Sequence, residues 1–144
     1  MDILKIVKTK ESQEFSCLGE QMADILSVIN TESRTLYWYV FDVDYYNHSE
    51  EIFKSPISRF DCTEDLINAS KKVEQFLSCV FIATKHDNIQ WDMEKLPKTE
   101  EDKGLQHEEA LIEIRAFDTT YFEVYVQEFN VANRLKLAFK IYCT

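Results

Sequence analysis

The chain opens with a loose alternation of apolar and polar residues over 2–8, which predicts a first strand. The period then changes. Phe15, Leu18, Met22, Ile25, Leu26 and Ile29 recur at spacings of three and four, on one face of a helix expected over 13–30 with Ser12 in the N-cap position. Gly19 is an odd residue for a helix interior and is read as marking a close approach to the sheet.

Residues 35–46, TLYWYVFDVDYY, are almost all β-branched or aromatic apart from two aspartates, and predict a long strand. Strict alternation puts Leu36, Trp38, Val40, Asp42 and Asp44 on one face and Tyr37, Tyr39, Phe41, Val43 and Tyr45 on the other. The first face begins apolar and ends acidic, so the strand is expected to run from the core out to solvent. A second helix is expected over 63–78. Glu64 and Asp65 suit the positive end of its dipole, and Leu66, Ala69, Val73, Phe76 and Leu77 form its apolar stripe. The continuous apolar run CVFIAT, 79–84, predicts a buried strand.

Residues 86–108 are polar, include Pro97 and Gly104, and predict a long loop, a feature that in small domains is usually functional or disordered. Residues 110–117 and 121–127 alternate on either side of Asp118, Thr119 and Thr120, which predicts a β-hairpin without the glycine that the tightest turns prefer. A last helix is expected over 131–140, capped by Asn130, with Val131, Leu135, Ala138 and Phe139 inward. The expected class is α+β, one domain over 1–144: a single mixed or antiparallel sheet of about five strands with three helices packed on it, ending in a hairpin and a helix.

At 144 residues and 45% hydrophobic content the chain can bury a core without disulfides or metal. No apolar run approaches the roughly 18–20 residues of a membrane span. The opening MDILKIVKTK has too short an apolar stretch for a signal peptide, so a cytoplasmic location is expected. Cys17, Cys62, Cys79 and Cys143 lack close-pair metal spacing and are expected to be free thiols, mostly buried. The two glycines, Gly19 and Gly104, belong to no phosphate-cradling motif, which argues against the common nucleotide-binding enzymes.

Charge changes the picture most. The formal net charge is −10 and it is unevenly spread. Residues 42–65 hold seven acids and two bases, and residues 86–113 hold nine acids and three bases. Such a field repels nucleic acid and anionic membrane and steers basic proteins inward. Acidic loops also simply keep a small protein soluble.

Asp42 and Asp44, two apart on a strand with His48 a turn further on, fit an oxygen-liganded cation in a small metal-dependent hydrolase. The further ligands such a site needs, His86, Asp87 and His107, are scattered. No local signature accompanies any Cys–His pairing. The adjacent pairs Glu100–Glu101 and Glu108–Glu109 diverge, with nothing apolar beside them to raise a pKa. No catalytic constellation emerges and no cofactor is called for.

A binding surface uses what remains. Tyr45, Tyr46, His48, Glu50, Glu51 and Phe53 mix rings with acids, as do Trp91, Asp92 and Glu94 in the long loop. Aromatic anchors among charges are typical of tight interfaces, although Tyr45, Phe53 and Trp91 equally suit a core. The candidate partner-binding set is Asp42, Asp44, Tyr46, His48, Glu50, Glu51, Trp91, Asp92 and Glu94.

The stretch ALIEIRAFDTTYFEVYVQEFNVANRLKLAF, Ala110 to Phe139, resembles a strand–turn–strand–helix ending of small bacterial proteins. Some of these are similar to the immunity proteins of contact-dependent growth inhibition and related polymorphic toxin systems. The likeness is one of element order and composition and assigns no functional residue. It implies a cytoplasmic protein that binds and blocks one cognate toxin domain. Toxins of this kind are often basic nucleases, since they must hold phosphates. An adaptor module with no toxin partner is the remaining alternative.

Overall fold

The computed structural model describes residues 1–7, 16–46 and 51–140. The strands are β1 Asp2–Ile6, β2 Tyr37–Tyr46, β3 Ser58–Phe60, β4 Gln75–Thr84, β5 Ala110–Phe117 and β6 Tyr121–Val126; the helices are α1 Gly19–Ser33, α2 Thr63–Lys71 and α3 Phe129–Phe139. All six strands join one sheet in the order β1-β6-β5-β4-β2-β3, and every neighbouring pair is antiparallel. The α+β class is as expected, with one strand more than the sequence pattern suggested: the short β3 on the edge.

The three helices bury their stripes against one face of the sheet. Trp38 and Val40 of β2, Phe81 of β4 and Ile114 of β5 meet Met22, Ile25 and Leu26 of α1, Leu66 of α2 and Leu135 of α3 in a single core. The opposite face carries a smaller cluster: Tyr39, Phe41, Val80 and Ile82 with Ile89 and Ala110. Alternate residues of β2 and β4 thus serve two cores, as the pleat requires.

Strand β2 departs from the expected alternation. Its register against β4 slips between Phe41 and Asp44, and Asp42 takes a left-handed φ of 51°. One extra residue at such a bulge exchanges the faces that follow it. Tyr37, Tyr39 and Phe41 therefore face away from the helices, whereas Val43 and Tyr45 pack against the helix-side core.

Three element boundaries also differ. Helix α1 begins at Gly19 and not at 13, and Gln21 Oε1 accepts from the Leu18 N–H as the helix starts. Ser12 and Phe15 lie outside the described residues. A Cβ on Gly19 would sit 2.0 Å from the Val73 carbonyl oxygen and 2.2 Å from that of Ser70, so the close approach is to the end of α2 and not to the sheet. Helix α2 stops at Lys71, because Phe76 and Gln75 belong to β4 and pair with Tyr45 and Tyr46 of β2. Helix α3 is capped by Glu128, whose carboxylate accepts from the Asn130 N–H at 3.1 Å, in place of the expected Asn130 cap. Ala138 is exposed on α3, and Ala132 takes the inward position.

Candidate functional site

The site is built on the hairpin. The β5–β6 register sets Glu113 opposite Tyr125 and Arg115 opposite Glu123. Alternation turns all four away from the helices, in the middle of the sheet, where they are 0%, 0%, 0% and 4% exposed for Glu113, Arg115, Tyr125 and Glu123. A buried guanidinium must fill its donors, or its desolvation is uncompensated. The segment 85–109, joining β4 to β5, supplies the partners by lying across this face as a strap.

Arg115 Nε donates to Glu113 Oε2 at 2.7 Å. Its Nη1 donates to the Glu101 carbonyl at 3.0 Å, and its Nη2 to the carbonyls of Asp102 at 3.0 Å and Gly104 at 2.7 Å. The guanidinium also lies 4.5 Å from the centre of the Tyr125 ring. Glu113 accepts from the Gln106 N–H at 2.7 Å and from its side-chain amide at 2.8 Å. Lys103 Nζ donates to both oxygens of Glu123 at 2.8 Å, and the Tyr125 hydroxyl donates to the same carboxylate. Burial, then that bond to Glu123, pushes the Tyr125 hydroxyl well above the usual phenol range. Two carboxylates face two cations, so the buried group is balanced. Gly104 has a φ of 131°, which admits few other residues, and this turn aims its carbonyl at Arg115.

Further anchors hold the ends of the strap. Trp91 packs edge-on against Tyr39 at 5.2 Å and Phe41 at 4.6 Å, and against the His107 ring at 4.7 Å. His107 Nδ1 accepts from the Glu109 N–H at 3.0 Å, which leaves Nε2 to donate to the Gln90 carbonyl at 3.1 Å. The Tyr39 hydroxyl donates to the Asp87 carbonyl at 3.0 Å. Asp42, the bulge residue, accepts from the Thr99 N–H through Oδ2 at 2.8 Å. Gln106 also exchanges two bonds with the backbone of Lys98, each 2.9 Å, and so ties the two limbs of the strap together.

With its inner side so engaged, the strap turns its acids outward: Asp87, Asp92, Glu94, Glu100, Glu101, Asp102, Glu108 and Glu109 are all exposed. A groove of about 700 Å³ is lined by Leu96, Pro97 and Leu105 together with Asp92, Glu101, Asp102, Glu108 and Lys95. A smaller depression beside it is lined by Asp42, Val43, Met93, Leu96 and Pro97. Met93 stands 61% exposed among the acids.

The nine sequence-derived candidates divide. Asp92 and Glu94 are exposed on the strap, and Asp42 adjoins it through Thr99. Trp91 belongs to the same segment but is half-buried as its wedge. Asp44 and Tyr46 are exposed beyond the bulge. Glu51 lies elsewhere, lining a shallow depression with Asp65, Asn68 and Lys72 beside α2. His48 and Glu50 lie outside the described residues. Among the described residues, no three His, Cys, Asp or Glu side chains come together as a metal site. The Asp42 carboxylate is engaged with a backbone N–H instead.

Reasoning from residues missed Glu113, Arg115, Glu123 and Tyr125. The signal was present in Glu113-Ile114-Arg115 and Glu123-Val124-Tyr125, which stand at matching distances from the turn at Asp118–Thr120. Following the hairpin register would have brought the four together. Comparison of the chain with protein-family models, with curated proteins and with solved structures finds no match. No helix among the described residues is long and apolar enough to cross a membrane.

Proposed function

We propose that the protein is a non-enzymatic binding protein that presents its acidic strap to a basic protein partner. We further propose that this partner is a nuclease-like toxin domain, neutralised in the manner of an immunity protein. The carrying observation is the strap itself. A segment rich in carboxylates is fixed from beneath by Arg115, Glu113 and Glu123, so its outward acids are positioned before any partner arrives. Pre-positioning lowers the ordering cost of association, and the charge speeds encounter with a cationic cleft. The Ala110–Phe139 resemblance supports the toxin as the partner class.

The test is co-expression with the product of the adjacent gene. The proposal expects a stable complex and protection of the host cell. No complex and no protection would remove the toxin reading.

A further inference from the structure

The two faces of the sheet are held by different forces. On the helix side, three helices bury a large apolar core. On the outer side the buried apolar cluster is smaller, with Ile89, Trp91, Leu96 and Leu105 of the strap seated on it, and the rest of the attachment is by bonds to charged groups: Arg115 to three carbonyls, Glu113 to Gln106, Glu123 to Lys103 and Asp42 to Thr99. The Lys103 side chain in the third of these is 61% exposed, so solvent screens that pair. Among the described residues no hydrogen-bond acceptor reaches the buried Trp91 Nε1.

Topology adds a second argument. Strands β4 and β5 pair directly with each other up to Thr84 and Ala110, the residues that bound the strap. The strap contributes no strand to the sheet, so it can leave without parting a single ladder. Once it is gone, Arg115 still faces Glu113 and Glu123 on the strands, and water replaces the lost carbonyls. Recovered hydration offsets much of the cost of releasing buried charges.

We infer that residues 85–109 form a latched strap that opens as one unit, ahead of the rest of the chain, and uncovers the Tyr39, Phe41, Val80 and Ile82 face of the sheet. Arg115 is the latch. Such sub-global opening is drawn from the segments with the least apolar burial and no place in a central ladder. The inference stands apart from the partner reading, since a strap that never opens still presents its acids.

The two tryptophans report on the two units. Trp38 is fully buried in the helix-side core, with Nε1 donating to Thr63 Oγ1 at 2.8 Å; Trp91 is the wedge of the strap. Protein labelled with 5-fluorotryptophan gives one fluorine resonance for each, assigned with Trp91→Phe. In a urea series followed by fluorine NMR, the Trp91 resonance should reach its solvent-exposed position at lower urea than that of Trp38. The Thr99 and Gln106 amides should exchange with solvent at least about tenfold faster than those of Val40 and Phe81. In Arg115→Met the Trp91 transition should move to still lower urea while that of Trp38 stays in place. Coincident transitions and equal amide exchange in the unsubstituted protein would overturn the inference, whether or not the variant folds.

Discussion

At the scale of single residues, the chain holds ionisable groups where water cannot reach them. Burial pushes the Cys17 thiol up to about 11, and its Sγ donates to the Tyr121 carbonyl. The Tyr125 hydroxyl is likewise raised, by burial first and Glu123 second. Both groups hold their protons more tightly when folded, so the folded state binds more protons than the unfolded one above the ordinary thiol value of 9.0. The contribution of these two groups is therefore fully present below that pH and is lost as pH rises toward about 11. Urea midpoints measured from pH 8 to pH 11 should show this decline, and Cys17→Ala should make it shallower. A midpoint that rises over that range would contradict the assignment.

At the scale of elements, two backbone positions decide how neighbouring pieces meet. Asp118 and Thr119 turn the hairpin with φ of 44° and 61°, a conformation that a β-branched residue adopts at a cost. Thr119→Gly should raise stability by about 1 kcal/mol, read as a higher urea midpoint; no gain would mean that the Thr119 side chain makes a compensating contact. Gly19 lets α1 start against the end of α2 with no room for a Cβ. Gly19→Ala should cost about 3 kcal/mol, since backbone and not a flexible side chain must yield. A calorimetric shift within error of zero would show that the two helices part easily.

Much of this level was legible in the sequence. The C-terminal helix and the α1 stripe follow from periodicity because each buries one face against one core, and the hairpin follows because its helix-side residues alternate with polar ones even though both of its faces are covered. The errors arose where a non-local contact overrode a local pattern. Val73, Phe76 and Leu77 continue the α2 spacing, yet pairing with Tyr45 and Tyr46 draws Gln75 and Phe76 into β4. Asp tolerates a left-handed φ, but one aspartate in a strand pattern does not by itself mark a bulge, so strict alternation puts Val43 and Tyr45 on the face opposite to the one they occupy. Trp91 read as a surface anchor because its neighbours are acidic, whereas its ring is spent on Tyr39 and Phe41. The latch escaped because Glu113 and Arg115 look like ordinary polar positions of an exposed strand face. Only the strap, which sequence leaves as a long polar connection, makes that face an interior.

At the scale of the whole molecule, the sheet separates two jobs. Its helix side provides the apolar core, and its outer side carries a balanced ionic patch on which an acidic segment is mounted. The two charge-rich stretches of the sequence meet only in part: Asp42 accepts from Thr99 and Arg59 lies 3.6 Å from the Asp87 carboxylate, so both join the strap's surroundings. Glu51 sits beside α2, and the strap acids occupy the opposite face. A partner steered by this field should feel the strap most, so neutralising its acids should slow encounter more than neutralising Glu51.

The most direct measurement is stopped-flow association with the purified product of the adjacent gene, at low and moderate salt. It compares the unsubstituted protein with a variant carrying Asp92→Asn, Glu94→Gln, Glu101→Gln and Asp102→Asn. The on-rate of the unsubstituted protein should fall steeply with salt, and the variant should associate about tenfold more slowly at low salt with a shallower slope. Equal on-rates and equal slopes for the two proteins would contradict the claim that the latched strap is the binding face.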